Sequence, residues 1–226
     1  DGRDARRRAR GARWSAATRS LAHAVQSTMF VKICGMTDAQ AVEAALAAGA
    51  DAVGFVFAPS VRRVTAEHAQ TLAATARGRA RCVAVLLHPT QAELEHVLQV
   101  FDPDVVQLDH EDLAAPSLAR ALQNRVVWPV LRQGRDWPTS LPPRVLYEGA
   151  VSGSGRTADW ALAHQLARRT ELLLAGGLNP DNVSAAIRTV RPFGVDVSSG
   201  VESAPGVKCA ARIQDFVRAA RSAASE

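Results

Sequence analysis

A cysteine and a glutamate each end a short apolar run, and both side chains could move protons. Cys34 follows Phe30–Ile33, and Glu148 follows the run that begins at Val145. A thiol has an ordinary pKa of about 8.5. Cationic neighbours could lower this pKa and so raise the fraction of thiolate available to abstract a proton. A carboxyl group in a closed site can keep its proton near neutral pH and act as an acid. The alternatives are a packed thiol and a solvated or ion-paired carboxylate.

Two loops of small residues follow the last two apolar runs of this kind. One contains Gly176–Gly177, and the other contains Ser199–Gly200. Glycines let backbone N–H groups approach an anion closely, and the N-terminus of a short helix adds a partial positive charge. The pair of loops therefore predicts a phosphate site, with two tight turns as the alternative.

Paired arginines, Arg62 and Arg63, follow the second apolar run. Guanidinium binds a carboxylate through two parallel hydrogen bonds, so one of them could hold an acidic substrate while the other is solvated. His88 and Asp112 lie near loops without metal-like spacing, and we interpret them as structural or solvated. No metal site is predicted.

The elements that must position these residues alternate from Met29 onward. Short runs rich in Val, Leu and Ile alternate with alanine-rich segments of helical period, which is typical of parallel sheets. The predicted strands are 30–33, 52–56, 82–86, 105–108, 126–131, 145–148, 171–175 and 194–197. The predicted helices are 38–48, 66–77, 91–101, 113–124, 157–168, 181–190 and 208–223. The fifth connection, 132–141, is poor in helix formers.

Eight near-regular units close naturally into a barrel, although a doubly wound sheet is the alternative architecture. The sequence thus predicts an α/β fold, a (β/α)8 TIM barrel forming a single domain over residues 29–226. In such a barrel the carboxyl ends of all the strands share one mouth, where the residues named above would meet.

The positive charge of the chain is confined to its first 28 residues. Seven arginines and two aspartates in this segment account for the formal net charge of +5, so the rest of the chain has a net charge of zero. We predict that residues 1–28 form a disordered basic extension or come from an upstream translation start; a transit peptide and a nucleic-acid arm are alternatives. No nucleic-acid partner is expected for the folded domain.

The remaining composition favours a cytoplasmic protein without a membrane partner. No stretch reaches the roughly 18 apolar residues of a membrane span, and no secretory pattern is present. The three cysteines, Cys34, Cys82 and Cys209, cannot all pair and lack zinc-like spacing. Free thiols are therefore expected.

The motifs taken together resemble the phosphoribosylanthranilate isomerase family of tryptophan biosynthesis. The resemblance runs from Met29 to about Phe216. It is carried by Lys32-Ile33-Cys34-Gly35-Met36-Thr37, Gln107-Leu108, Ala175-Gly176-Gly177-Leu178-Asn179-Pro180, Asp196-Val197-Ser198-Ser199-Gly200-Val201-Glu202 and Pro205-Gly206-Val207-Lys208.

The resemblance implies a cofactor-free Amadori rearrangement of N-(5-phosphoribosyl)anthranilate to 1-(2-carboxyphenylamino)-1-deoxyribulose 5-phosphate. It implies Cys34 as general base, Glu148 as general acid and Arg62 as the ligand of the anthranilate carboxylate. The phosphate would be held by Gly155, Gly176, Gly177, Ser199 and Gly200. The implied partner is a small phosphorylated substrate, bound by a monomer or homodimer.

The sequence departs from the family pattern at two points. Glu148 stands where the family generally has Asp, which keeps the carboxyl group but adds one methylene. Asp109-His110 follows Gln107-Leu108, where the family typically reads His-Gly. The alternative functions are another phosphosugar aldose-ketose isomerase, which would usually carry two Asp rather than Cys34, and a catalytically silent barrel that binds a phosphorylated ligand.

Overall fold

Eight parallel strands close into a barrel in the order in which they occur along the chain. This computed structural model describes residues 29–149 and 157–225. The predicted (β/α)8 barrel is confirmed. The predicted extension, residues 1–28, lies outside the described residues, as does Gly155.

The strands of the barrel fall within a residue or two of the predicted runs. Strands β1 to β8 are Phe30–Cys34, Ala52–Val56, Arg81–Val85, Val105–Asp109, Val127–Arg132, Arg144–Glu148, Glu171–Leu174 and Gly194–Val197. Helices α1 to α7 are Ala39–Ala47, Ala66–Ala73, Gln91–Val100, Pro116–Ala121, Trp160–Ala167, Val183–Val190 and Ala210–Ala223. Two 3-10 helices, His110–Ala114 and Ser199–Val201, and a small antiparallel pair, β9 (Glu202–Ala204) and β10 (Val207–Lys208), complete the described elements.

Helix starts follow local chemistry, including where the predicted bounds are wrong. Thr90 and Glu93 form a reciprocal capping box at α3, as a Thr three residues before a Glu predicts. Helix α4 begins at Pro116 rather than near residue 113, because Ala115 before the proline is extended. Lys208 was predicted to be helical but belongs to β10, after a turn in which Gly206 has a φ of 82°.

The side chains of the strands alternate between the interior of the barrel and the surrounding helices. On β1, for example, Phe30, Lys32 and Cys34 alternate with Val31 and Ile33, which pack in the larger core cluster between sheet and helices. The smaller interior cluster includes Val83, Val105, Trp128, Val130, Leu146 and Leu173. The alternation stacks one interior layer above another, from Phe30 near the floor to Cys34 at the mouth.

Candidate active site

A cavity of about 410 Å³ opens at the carboxyl ends of the strands. Most of the predicted site residues line it: Cys34, Arg62, Glu148, Gly176, Gly177 and Ser199. The volume suits a ligand of small-molecule size. A larger cleft of about 790 Å³ adjoins it between the loops after β2 and β3, but none of the predicted site residues lines that cleft.

Cys34 ends β1 above a buried ion pair. The ammonium of Lys32, two residues earlier and fully buried, donates to Asp196 Oδ1 at 2.9 Å and lies near the Cys34 thiol, whose ionised form it favours. Gly54 on β2 leaves room for both groups, since a Cβ there would lie 2.9 Å from Cys34 Sγ and 3.2 Å from Lys32 Nζ. The interior charges of the barrel are therefore paired directly beneath the thiol.

The pKa of Cys34 moves in the opposite direction to the sequence-based expectation. Burial raises the pKa of the thiol, and the nearby Lys32 ammonium opposes that rise without overcoming it. The expectation counted cationic neighbours, and those are present. It omitted the cost of removing a thiolate from water, which dominates in this closed position.

Arg62 is held in place by Glu202, the first residue of β9. Its Nε and Nη2 donate to the two carboxylate oxygens of Glu202, each at 2.7 Å. Lys208 Nζ donates to Glu202 Oε1 at 2.8 Å and also to the Ser198 carbonyl at 3.0 Å. Burial alone would raise the pKa of Glu202, but the hydrogen bonds from Arg62 and Lys208 lower it to about 2. Arg63 lines the adjoining cleft instead.

Glu148 ends β6 beside Arg132, its register partner at the end of β5. Arg132 Nη1 donates to Glu148 Oε1 at 2.5 Å. The Nε and Nη2 of the same guanidinium donate to Asp109, at distances from 2.7 to 3.1 Å. All three side chains are nearly buried, and Arg132 lines the cavity together with Glu148.

The loops after β7 and β8 approach each other closely. Gly176 and Gly177 have φ values of 87° and 65°, in the left-handed region that favours glycine. Gly200 is not among the residues that line the cavity. A Cβ on it would lie 1.9 Å from the Leu178 carbonyl oxygen, so a glycine is required for the two loops to pack.

Two further polar residues near the mouth, His88 and Gln107, differ in their hydrogen bonding. His88 Nδ1 lies 2.7 Å from Asp112 Oδ1, as the structural interpretation of this pair predicts. Gln107 lines the cavity, and its buried Oε1 atom has no hydrogen-bond partner among the described residues. Residues 29–149 and 157–225 contain no cluster of His, Cys, Asp and Glu that could hold a metal, and none of their helices could cross a membrane.

The sequence prediction missed several charged residues of this site, and a signal was present for three of them. Lys32, Asp196 and Arg132 lie on otherwise apolar strands, at positions that share the period of two with the cavity-facing residues. A charged residue in such a position must be paired or functional. Lys208 gave no comparable signal because it lies outside the barrel strands.

Comparisons with known proteins converge on one family. A family model described as N-(5'-phosphoribosyl)anthranilate (PRA) isomerase matches residues 31–219. The N-(5'-phosphoribosyl)anthranilate isomerase of Azorhizobium caulinodans is 40% identical over 214 residues, which covers 85% of this chain and 92% of that protein.

Two solved structures are also similar. The phosphoribosyl anthranilate isomerase of Thermus thermophilus matches with a TM-score of 0.75 and 31% identity, covering 84% of this chain and 98% of that one. A phosphoribosyl anthranilate isomerase in complex with reduced 1-(o-carboxyphenylamino)-1-deoxyribulose 5-phosphate matches with a TM-score of 0.71 and 30% identity, covering 86% and 99%.

Proposed function

The chain belongs to the N-(5'-phosphoribosyl)anthranilate isomerase family, and we propose that Cys34 and Glu148 are the general base and the general acid of its reaction. The enzyme converts N-(5'-phosphoribosyl)anthranilate to 1-(2-carboxyphenylamino)-1-deoxyribulose 5-phosphate, a step of tryptophan biosynthesis. One observation supports the two assignments: a thiol and a carboxyl group, each at the carboxyl end of a barrel strand, line the same cavity.

The rearrangement needs one proton delivered and one removed. Glu148 gives its proton to the ring oxygen of the furanose, the bond from that oxygen to C1 breaks, and a protonated Schiff base forms between C1 and the anthranilate nitrogen. Cys34, as the thiolate, then takes the proton from C2, and the electron pair of that bond neutralises the iminium. The resulting enol tautomerises to the aminoketone product, so no external electron donor or acceptor is required.

Lys32 supports the ionised form of Cys34 in this scheme. Burial raises the pKa of the thiol, so the thiolate is a minor species at neutral pH. The Lys32 ammonium is a positive charge near the sulfur that favours the thiolate, and Asp196 keeps it in position. Because the base must be deprotonated, we expect kcat/KM to rise with pH until Cys34 is ionised.

Two cationic or N–H-rich regions would hold the two ends of the substrate. Arg62, oriented by Glu202, faces the cavity and would bind the anthranilate carboxylate. Backbone N–H groups at Gly176, Gly177 and Ser199 would bind the phosphate, which the left-handed glycines support. Gly200 would act by letting the two loops meet, and Gly155 is proposed from the family pattern alone.

The assignments are tested with paired variants, by following the loss of substrate fluorescence. We expect Cys34→Ala to abolish turnover and the control Cys209→Ser to keep it. Glu148→Gln should lower kcat by at least about a hundredfold with little change in affinity for a reduced product analogue, as for a positioned acid, whereas Glu171→Gln should not. Wild-type rates in Cys34→Ala or Glu148→Gln would remove that residue from the mechanism.

We also propose the oligomeric state and the cellular location of the enzyme. The ligand is a small phosphorylated molecule, and we propose a monomer or homodimer located in the cytoplasm. The described cysteines are all free thiols, which suits a reducing compartment. Sedimentation equilibrium measurements on the purified chain would separate the two oligomeric states.

A further inference from the structure

Asp109, Arg132 and Glu148 form one contact network at the mouth of the barrel. Asp109 ends β4, Arg132 ends β5 and Glu148 ends β6, so three consecutive strands contribute one residue each. Arg132 lies between the two carboxylates and donates to both. Arg132 and Glu148 line the cavity, while Asp109 is on the far side of Arg132 and does not.

We propose that Arg132 is a positioning residue for Glu148, and that Asp109 keeps Glu148 able to carry a proton by neutralising Arg132. This inference rests on the proposed role of Glu148 as general acid. Glu148 has several rotatable bonds, and Arg132, a donor fixed on the neighbouring strand, holds its carboxyl group in one place in the cavity.

The charge balance of the network explains why Glu148 needs Asp109 as well as Arg132. A guanidinium alone beside Glu148 would stabilise the carboxylate and deprive the acid of its proton. Asp109 accepts from Nε and Nη2, so most of the charge of Arg132 is already paired and only Nη1 reaches Glu148. With Glu148 protonated the trio is neutral, and with Glu148 ionised it carries one negative charge within a nearly buried site.

Among residues 29–149 and 157–225, the other charged groups near Glu148 have ion-pair partners of their own. Strand β7, on the opposite side of Glu148, carries a titratable side chain only at its far end, Glu171. Cys34, Asp196 and Arg62 line the same cavity, but Asp196 is paired with Lys32 and Arg62 with Glu202. His88 lies behind Asp109, 3.7 Å from its Oδ2, and is bonded to Asp112.

The test compares the pH dependence of kcat in three variants. The profile of kcat against pH should have a rising and a falling limb. The limb due to Glu148 is the one that is absent from the profile of the residual activity of Glu148→Gln. In Asp109→Asn the full charge of Arg132 acts on Glu148, so we expect this limb to move to lower pH by about one unit. In Arg132→Gln two carboxylates face each other without a cation, so the same limb should move to higher pH, and kcat should fall by about tenfold or more with KM little changed.

Two further variants serve as controls. Arg132→Lys keeps the charge and should return the limb toward the wild-type position. Arg125→Gln breaks an exposed arginine–aspartate pair with Asp102 and should move neither limb. Circular dichroism and urea unfolding establish that each variant is folded.

The outcomes separate this inference from the proposed function. If Glu148→Gln retains wild-type kcat and both limbs, the acid assignment itself is wrong. If the Glu148 limb is identified but moves the same way, or not at all, in Asp109→Asn and Arg132→Gln, only the positioning role is overturned. A rise in KM for Arg132→Gln at unchanged kcat and limb position would instead make Arg132 a ligand of the substrate carboxylate.

Discussion

The carboxylate of Glu202 should contribute measurably to stability, and Glu202→Gln removes its charge at nearly constant shape. The carboxylate accepts hydrogen bonds from Arg62, Lys208 and the Gly206 N–H. These contacts lower its pKa from the ordinary value of 4.5 to about 2. Each pKa unit corresponds to about 1.4 kcal/mol, so the shift sets an upper limit of about 3.5 kcal/mol. Solvent reaches part of Arg62, and we therefore expect about 2 kcal/mol.

The sign of the pH dependence follows from the direction of this shift. Because the pKa is lower in the folded protein than in the unfolded chain, the stabilisation is complete above pH of about 4.5 and disappears as the pH falls toward about 2. The difference in unfolding free energy between wild type and Glu202→Gln should therefore be largest near pH 7 and shrink between these two values. Other carboxylates titrate in both proteins and cancel in the difference.

Urea unfolding, followed by circular dichroism at several pH values, measures this difference. The control is Asp215→Asn, which breaks an exposed pair with Arg218 and should cost less than about 0.5 kcal/mol at any pH. The reasoning is refuted if Glu202→Gln is as stable as wild type at pH 7, or if its deficit at pH 3 equals that at pH 7. The variant should also raise KM, since Arg62 loses the partner that orients it.

Two further changes test other parts of the barrel. Gly200→Ala places a Cβ against the Leu178 carbonyl, which cannot move aside, so we expect a loss of about 3 kcal/mol or more in urea unfolding and a raised KM; wild-type values would disprove the close packing. Arg144→Ala removes a guanidinium that lies 4.1 Å from the centre of the Phe193 ring at the barrel floor, and should cost about 1–2 kcal/mol while kcat and KM stay unchanged. An altered kcat there would contradict the separation of floor from mouth.

The barrel was predictable because local signals and the overall architecture agree. Apolar runs marked every strand of the barrel, and Thr90 with Glu93 marked a helix start that the capping box confirms. The small errors arise from single residues. Helix α6 begins at Val183 rather than at Asp181, after a turn in which the Asn179 side chain accepts from the N–H groups of Asp181 and Asn182.

The positions of the site residues were predictable, but their electrostatic states were not. Ending a strand was enough to bring Cys34 and Glu148 to one cavity. The partner of Arg62 lies 140 residues along the chain, and no spacing rule connects them. The shift of the Cys34 pKa is the net result of two opposed effects, burial of the thiol and the nearby Lys32 ammonium. The sequence shows that charged residues are present, but it does not show how deeply the thiol is buried.

Gly54 shows that the reaction centre depends on a gap as much as on a functional group. The second strand gives no atom to the chemistry at this level, yet any residue larger than glycine would push against sulfur on one side and nitrogen on the other. Position 54 therefore cannot carry a side chain, and at this level β2 contributes space rather than a functional group.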